Sequence, residues 1–250
     1  MQPDRLRQLF KPESVARFGA SDAEGALGTV ILKNLKSGGF HGPITLVNPK
    51  YEAIDGEPCY PSLNESGKEV DLAVIVAPAK VVPGIITDCG ESGVGAAIVV
   101  SAGFSEAGPR GSALETEMLR RANRYGMRIL GPNCLGVIRS DIGLNATFSA
   151  GTALPGRLAV ISQSGALCTA ILDWAEKNDV GFSSLISTGI SADVNFGEIL
   201  DFVAMDPATD SIMLYIEGLK NPRRFMSALR AAARTKPVVI MKSGRQEQGS

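Results

Sequence analysis

The fold of this chain is decided by residues 14–28, which read Ser14-Val15-Ala16-Arg17-Phe18-Gly19-Ala20-Ser21-Asp22-Ala23-Glu24-Gly25-Ala26-Leu27-Gly28. The first seven residues predict a strand, and a glycine-containing turn separates this strand from an amphipathic helix. Glycine lets the chain turn sharply and lets a diphosphate approach the amide N–H groups at a helix N-terminus, where the helix dipole favours an anion. Because the glycine spacing is longer than GxGxxG, the stretch predicts either a nucleotide-binding turn or a tight connection without a ligand.

Short apolar runs alternate with amphipathic stretches along the rest of the chain. Continuous apolar runs are typical of parallel strands covered on both faces, and regular alternation of strands and helices predicts an α/β fold with doubly wound sheets. The predicted strands are Ser14–Ala20, Ile44–Asn48, Asp71–Ala77, Ala96–Ser101, Arg128–Leu130, Leu158–Ser162, Phe182–Ser187, Ile212–Ile216 and Val238–Met241. The predicted helices are Ala26–Ser37, Val81–Ser92, Ser112–Tyr125, Ala166–Lys177, Phe196–Met205 and Pro222–Ala233.

A stretch of small, turn-forming residues between Ser149 and Gly156 marks a junction. We therefore predict two domains, residues 1–150 and residues 151–250, the second with four strands. The last of these strands is followed by a polar tail, residues 243–250, and by no helix that could cover it. We expect the second domain to be an incomplete part of a longer polypeptide; the alternative is an open sheet edge with a disordered tail.

The composition excludes several classes of protein. A net charge of -1 and 6% aromatic residues argue against a nucleic-acid partner. No segment approaches the roughly 18–20 apolar residues that cross a bilayer, and the charged N-terminus lacks a signal-peptide core. The only histidine is His41, which excludes a His-rich metal site and a Ser-His-Asp triad. Reduced thiols and a cytoplasmic location are predicted because no CxxC pair occurs among Cys59, Cys89, Cys134 and Cys168.

The second predicted strand ends in Asn48-Pro49-Lys50. A site for NAD needs an acidic residue at this point to bind the ribose hydroxyls. A lysine suits instead a nucleotide with an additional phosphate on its ribose, such as the 3′-phosphate of coenzyme A (CoA). NADP fits the same charge argument, and a solvated lysine without a ligand is the third alternative.

Further residues follow the other strands of the first domain, at the carboxyl ends where ligands bind in open α/β sheets. These segments are Ala77-Pro78, Ser101-Ala102-Gly103-Phe104 and Gly131-Pro132-Asn133-Cys134-Leu135-Gly136. The turn at residues 21–28, the tip at residues 48–50 and, above all, the Gly-Pro-Asn-Cys-Leu-Gly segment resemble the CoA-binding domain of NDP-forming acyl-CoA ligases. This family includes the succinyl-CoA synthetase α subunits and the ADP-forming acetyl-CoA synthetases, and the resemblance covers nearly the whole chain from Pro12 onward.

The resemblance implies a Rossmann-type CoA-binding domain followed by a flavodoxin-like, succinyl-CoA synthetase-like domain. The residues that it assigns to CoA binding are Gly19, Ser21, Asp22, Ala23, Glu24, Gly25, Gly28, Asn48, Pro49, Lys50, Ala77, Pro78, Ser101, Ala102, Gly103, Asn133 and Cys134. The segment that contains Cys134 is expected near the thiol end of CoA, although Cys134 is not expected to be a nucleophile. A small buried residue is the alternative role for this cysteine.

The second domain contains Ser162-Gln163-Ser164-Gly165 between a predicted strand and a predicted helix. Hydroxyl and amide groups at a helix N-terminus can bind a phosphate, although a serine cap alone is the alternative. The motif resembles the loop that receives the phosphohistidine in succinyl-CoA synthetases. In that family a glutamate at the position of Glu217 supports this histidine, and a surface carboxylate at a strand end is the alternative. For Asp193 and Glu198 we expect only capping and solvation.

In the relatives, the catalytic histidine follows a Lys-Ser-Gly-Arg segment by a short loop. Residues 242–245 have this sequence, but no histidine follows before residue 250, and His41 does not match. This chain alone is therefore expected to be inactive and to contain no metal site. The resemblance implies CoA or acyl-CoA and a small carboxylic acid as ligands, acetate being the favoured acid, and places ATP or ADP and Mg²⁺ on an ATP-grasp domain or subunit.

Two alternatives remain open from the sequence. Residues 144–149, 172–175 and 223–228 resemble the ligase-like region of bacterial protein lysine acetyltransferases, in which a GNAT domain follows a CoA-sensing or acyl-CoA-sensing region. An NADP-dependent oxidoreductase is the other alternative, but the second domain has phosphate-type loops instead of an acid or base for hydride transfer. The oligomeric state is also open, since exposed strand edges could pair with another chain.

Overall fold

The structure is a computed structural model that describes residues 5–21, 25–151 and 153–243, so that the predicted ligand contacts Asp22, Ala23 and Glu24 lie outside the described residues. The strands are β1 Val15–Phe18, β2 Ile44–Val47, β3 Ala53–Ile54, β4 Glu57–Tyr60, β5 Leu72–Ile75, β6 Ala96–Val99, β7 Arg128–Leu130, β8 Gly136–Arg139, β9 Leu144–Thr147, β10 Leu154–Ser162, β11 Gly181–Ser187, β12 Ser211–Ile216 and β13 Val238–Lys242. The α-helices are α1 Arg5–Phe10, α2 Leu27–Ser37, α3 Leu63–Ser66, α4 Val82–Glu91, α5 Pro109–Arg124, α6 Gly165–Lys177, α7 Phe196–Met205 and α8 Pro222–Ala232.

The first sheet has the strand order β3-β4-β2-β1-β5-β6-β7. Every neighbouring pair is parallel except β3 with β4. Without the short edge strand β3, this is the 3-2-1-4-5-6 order of dinucleotide-binding folds. The strand order reverses between β1 and β5, and a crevice is expected at the carboxyl ends of these strands. The predicted Rossmann-type architecture is confirmed.

The second sheet has the order β13-β12-β10-β11-β8-β9. Its four predicted strands, β10 to β13, are present and parallel. The prediction of only four strands was wrong, because β8 and β9 add to the sheet as antiparallel strands beside β11. The chain thus enters the second sheet at Gly136, before the predicted boundary at residue 150. Small residues mark a turn but do not reveal which sheet the preceding strands join.

A hairpin and a short helix in the first domain were also missed. Strands β3 and β4 are joined by Asp55-Gly56, whose φ angles are 57° and 76°. Positive φ at both central residues is characteristic of a type I′ turn, for which Asp-Gly is a favoured sequence. Helix α3 follows the hairpin and has Ser62 as its N-cap. The Asp-Gly pair was therefore a usable signal for this hairpin.

The two sheets share one buried apolar cluster, which includes Val15 and Leu72 from the first sheet and Ile161 and Ile186 from the second. Polar contacts also join them: the buried Asn34 of α2 donates hydrogen bonds to the carbonyl oxygens of residues 147 and 149, each at 2.8 Å. An amide satisfied by two carbonyl groups fixes α2 against the end of β9.

An ion-pair cluster joins the edge strand β7 to the segment before α7. The Arg128 guanidinium binds the Asp193 carboxylate at 2.9 Å and the Glu198 carboxylate at 2.8 Å. Glu198 also forms a capping box with Asn195, which confirms its predicted capping role. The expectation that both acids serve only in capping and solvation was wrong, because their arginine partner lies far away in the sequence.

A second charged cluster is buried deeper, beneath α7. The Arg139 and Asp206 side chains are 0% and 1% exposed, and their Nη1 and Oδ2 atoms lie 2.8 Å apart. The Lys11 ammonium lies 2.9 Å from the same carboxylate. Burial alone would raise the pKa of Asp206, but the two cations outweigh it and hold the pKa at about 2. This cluster ties the segment after α1 to the second sheet.

Strand β13 forms an outer edge of the second sheet, and its exposed residues include Val239, Ile240 and Met241. Apolar edges of this kind are usually covered by another element or another chain. The described residues include no helix of the length and apolar character that a bilayer span requires.

We expect Asp206→Ala to lower the free energy of unfolding at pH 7 by about 3 kcal/mol, the lower end for a broken buried ion pair, because it removes the buried one of the two carboxylates that bind Arg139. The folded-state pKa of Asp206, about 2, lies below the unfolded value of about 3.9, so its contribution is complete above pH ~4 and is lost as the pH falls towards 2. Urea unfolding at pH 7 and pH 3 measures both effects.

The matched control is Asp201→Ala, which removes an exposed carboxylate from α7, the helix that ends just before Asp206. It should change the free energy of unfolding by no more than about 0.5 kcal/mol. Equal stability of the two variants at pH 7 would show that the buried pair contributes nothing to the fold.

Candidate functional site

A cleft of ≈ 830 Å³ lies at the carboxyl ends of β1, β2 and β5, where the strand order reverses. This volume is within the range of cofactor sites. Six of the predicted ligand contacts line it, namely Gly19, Asn48, Pro49, Lys50, Ala77 and Pro78. The other lining residues, which were not predicted, are Phe18, Val47, Pro61, Ser62, Val76, Lys80, Val81, Gly84, Ile85 and Asp88.

The floor of the cleft depends on Gly19. This residue has a φ angle of +73°, and a Cβ atom there would collide with the carbonyl oxygen of Val76. Its amide donates to the carbonyl oxygen of Val47 at 3.0 Å, while the Val76 amide donates to the carbonyl oxygen of Phe18 at 3.1 Å. Only glycine permits this approach and this backbone conformation, so the tips of β1, β2 and β5 meet closely here.

Asn48 organises the side of the cleft formed by β2. Its Nδ2 atom donates to the carbonyl oxygen of Ala20 at 2.6 Å, and its Oδ1 atom accepts from the Lys50 amide at 3.0 Å. The side chain thus connects the glycine turn to the Pro49-Lys50 turn. The sequence predicted Asn48 as a ligand contact. In the structure its side chain lines the cleft and also positions the Lys50 backbone.

Two lysines line the cleft. Lys50 is exposed on the turn after β2, and Lys80 lies on a 3₁₀ turn over Ala79–Val81, after β5. The carboxylate of Asp88 also borders the cleft but accepts the amides of Leu63 and Asn64 at 2.8 and 3.2 Å, so it caps α3. Lys80 was missed because the sequence pattern placed it between the strand tip at Ala77-Pro78 and the predicted helix Val81–Ser92.

Helix α4 and its N-cap residue Val81 form one wall of the cleft, with Gly84 and Ile85 as the helical residues in the lining. Gly84 is exposed within the helix, and a Cβ atom built on it would have no atom within 4 Å. Since glycine weakens a helix interior by about 1 kcal/mol relative to alanine, its presence needs another reason. The open space beside Gly84 belongs to the cleft, and a glycine keeps that space free.

Several predicted contacts support the cleft instead of lining it. The Ser101 hydroxyl accepts the amide of Ala77 at 3.0 Å, and the Ser101 carbonyl accepts the amide of Asn133 at 3.0 Å. The amide of Gly103 is bound by the Glu106 carboxylate at 2.6 Å. Also outside the lining are Ser21, Gly25, Gly28, Ala102, Asn133 and Cys134.

Cys134 is the clearest departure from the predicted set. The residue is 3% exposed, and its Sγ atom lies 3.4 Å from the carbonyl oxygen of Val99. Burial raises the pKa of the thiol to about 12. The side chain therefore fits the small buried residue that the sequence left open as the alternative.

The second predicted site is the turn between β10 and α6. Ser164 caps α6, its Oγ atom accepting the amide of Leu167 at 3.3 Å, and the Ser162 Oγ atom accepts the amide of Ser164 at 3.0 Å. The Gln163 Oε1 atom accepts the amides of Glu217 and Gly218 at 2.6 and 2.9 Å. The structure thus brings two distant predicted segments together.

Lys242 completes this arrangement, because its ammonium donates to the carbonyl oxygen of Glu217 at 2.8 Å. The Glu217 side chain is exposed, while its backbone is fixed from both sides by Gln163 and Lys242. Gly165 begins α6, where a Cβ atom would lie 3.5 Å from the Leu135 side chain. Ser162, Gln163, Ser164 and Gly165 therefore form one turn with Glu217 beside it.

The segment of residues 131–136 joins the two sites. The carbonyl oxygen of Pro132, which follows a cis peptide bond, accepts the amide of Ile190 at 3.0 Å. The amide of Leu135 donates to the Ser187 Oγ atom at 3.0 Å. Ser187 ends β11, beside β10 and the Ser162–Gly165 turn. One loop thus packs against both the first sheet and the phosphate-type turn.

Comparison with known proteins gives the family. Residues 13–140 match the family described as "CoA binding domain", and residues 155–250 match the "Succinyl-CoA ligase like flavodoxin domain". Acetate–CoA ligase (ADP-forming) I of Archaeoglobus fulgidus is 46% identical over 98% of this chain and 36% of its own length. The α subunit of acetate–CoA ligase (ADP-forming) I of Pyrococcus furiosus is 43% identical over 98% of this chain and 54% of its own length.

A solved structure supports the same family assignment. The apo form of dinucleotide-forming acetyl-coenzyme A synthetase 1 of Ca. Korarchaeum cryptofilum superposes with a TM-score of 0.93 and 41% identity, over 98% of this chain and 53% of that one. This chain spans between about a third and about half of the relatives that it matches. The match to the CoA binding domain, over residues 13–140, covers just over half of the chain, so the chain belongs to that family. It corresponds to the α-subunit-like region of ADP-forming acetyl-CoA synthetases.

Proposed function

We propose that this chain is the CoA-binding and ligase-like region of an ADP-forming acyl-CoA ligase, and that CoA binds in the cleft at the tips of β1, β2 and β5. The observation that carries the proposal is the position of this cleft. It lies at the reversal of strand order and has a close backbone turn at Gly19 and two lysines in its lining. It also lies within the residues that match the CoA binding domain.

The lining gives each part of CoA a different surface. Lys50 and Lys80 supply the positive charge for the phosphates, and the Gly19 turn leads to the N-terminus of α2 for the diphosphate. Val81 and Ile85 offer an apolar wall for the uncharged remainder of the ligand. In this arrangement the protein binds and orients CoA, whose thiol takes up the acyl group.

The second site has the proposed role of receiving a phosphoryl group. The resemblance assigns this role to residues 162–165 and assigns Glu217 to support of the phosphohistidine, which would lie outside this chain. An exposed carboxylate on a backbone fixed by Gln163 and Lys242 is compatible with such a role. ATP or ADP with Mg²⁺ would bind an ATP-grasp region that this chain does not contain.

Several finer points stay predictions. Acetate is the proposed acid because several relatives are named as acetate–CoA ligases, although others are named for 4-hydroxybutyrate and trans-feruloyl-CoA. A GNAT domain, homo-oligomerisation and a cytoplasmic location are each compatible with the structure. The four free, buried cysteines fit a reducing compartment. The full-length sequence distinguishes a ligase from an acetyltransferase with this region.

We expect CoA to raise the melting temperature of the purified chain, since a ligand at 100 times its Kd adds about 2.7 kcal/mol to the free energy of unfolding. NADPH should not do so. In calorimetric titration, Lys50→Ala and Lys80→Ala should each weaken CoA binding by about tenfold, because each removes a charged contact to a phosphate. The variant that loses the 3′-phosphate contact should bind dephospho-CoA as the wild type does.

Lys68→Ala is the matched control, because Lys68 is exposed and lies outside the cleft. Its affinity for CoA should stay within twofold of the wild type, as a rough threshold for a residue without a phosphate contact. The placement of CoA in this cleft is wrong if both cleft variants bind CoA as tightly as Lys68→Ala does.

The Gly84→Leu variant tests the cleft without removing a charge. Leucine should fill the space beside α4 and lower CoA affinity by more than about tenfold, while it stabilises the free protein by about 0.5–1 kcal/mol through its higher helix propensity. Titration with CoA and thermal unfolding without ligand measure the two effects. Thr116→Leu, on the exposed face of α5, controls for added apolar surface; unchanged CoA affinity in Gly84→Leu would place the ligand elsewhere.

A further inference from the structure

Arg17 is a buried arginine beneath the glycine turn of the first domain. It lies in β1, and its side chain is 0% exposed. Its Nη1 atom donates to the carbonyl oxygen of Phe18, and its Nη2 atom donates to the carbonyl oxygen of Gly19 at 3.3 Å. The guanidinium also lies against Gly28 in the first turn of α2, where a Cβ atom would collide with Nη2.

The charge of Arg17 has no carboxylate partner within the described part of the chain, and its Nε atom is buried without a hydrogen bond there. Burial lowers the pKa of Arg17 to about 10, so the side chain stays charged at neutral pH. Arg139, which is also fully buried, binds two carboxylates. A buried cation without a counter-charge is costly, and a folded protein normally pairs it.

The surroundings of Arg17 show where an anion would compensate this charge. The guanidinium lies against the first turn of α2, where the helix dipole already favours a negative group and the N-cap residue Ala26 supplies no side-chain cap. The Arg17 guanidinium binds the carbonyl oxygen of Gly19. Because the C=O and the N–H of a trans peptide point in opposite directions, the amide N–H of Ala20 then points away from the guanidinium. Arg17 thus adds positive potential behind the turn and fixes its peptide groups.

We infer that Arg17 is a positioning residue that selects a diphosphate ligand at the Gly19 turn, acting from behind the backbone. This inference rests on the proposed CoA site and deepens it by assigning the phosphates of the ligand to different groups of residues. Arg17 and the turn bind the diphosphate, whereas the lysines that line the cleft bind the additional phosphate on the ribose.

The test is calorimetric titration of the wild type and Arg17→Met with CoA, dephospho-CoA and pantetheine. Methionine keeps an unbranched apolar chain and removes the charge. We expect CoA and dephospho-CoA to bind about tenfold more weakly to Arg17→Met, because both contain the diphosphate, and pantetheine to bind equally to both proteins. Arg17→Lys, which keeps the charge, should recover most of the affinity.

Thermal unfolding without ligand separates this role from a structural one. Loss of a buried charge that pairs with no described carboxylate should leave the melting temperature of the free protein unchanged or raise it. A lower melting temperature together with unchanged affinity for dephospho-CoA would overturn the inference. Arg120→Met, on the exposed surface of α5, is the matched control and should bind all three ligands as the wild type does.

A measurement on the wild type keeps the test independent of how Arg17→Met folds. The ¹⁵N resonance of the Arg17 Nε atom should shift when dephospho-CoA is added and stay in place with pantetheine. An unperturbed resonance in the presence of bound dephospho-CoA would refute the inference about Arg17 and leave the proposed function standing. Failure of the wild type to bind CoA at all would refute the proposed function, and the assignment of Arg17 with it.

Discussion

The close approach of two backbones at Gly19 is the constraint on which the rest of the first domain depends. The turn passes so near Val76 that no side chain fits, and the pairing of β1 with β5 ends just before it, at Phe18 and Ile75. The cleft lies beyond these last paired residues, and Asn48 forms its third side by connecting the same turn to the tip of β2. The position of the cleft is therefore set by backbone geometry, and side chains then supply its charge.

The two sites of the chain belong to one packed body. The segment of residues 131–136 contacts the first sheet through Val99 and the second through Ser187, and a Cβ atom at Gly189 would collide with the Pro132 carbonyl. The Arg128 cluster holds the adjacent edge of β7 to the segment before α7. This packed connection keeps the proposed CoA cleft and the phosphate-type turn in a fixed relation, which the orientation of two reacting groups would require in the proposed reaction.

The sequence predicted the parallel strands well because their apolar runs and flanking glycines are local signals. It predicted the strand tips that line the cleft, including Gly19 and Lys50, because the carboxyl ends of parallel strands share one edge. It missed Lys80 and Gly84, which depend on how a helix lies against the sheet. It also missed β8 and β9, because they pair with β11 and with each other, in a different sheet from the strands that precede them. For Cys134 it left two roles open, and the structure fits the buried one. Contacts between distant segments were thus the part that local pattern could not provide.

The protein supplies no competing thiol to the proposed chemistry. Burial raises the pKa of Cys134 and of Cys168 to about 12, and it also raises the pKa values of Cys59 and Cys89. A thiol is nucleophilic as its thiolate, so these four cysteines stay protonated and inaccessible near neutral pH. A site that presents an activated acyl group to CoA must keep other nucleophiles away from it. In the proposed reaction, the burial of these four thiols would leave the thiol of CoA as the one that reaches the acyl group.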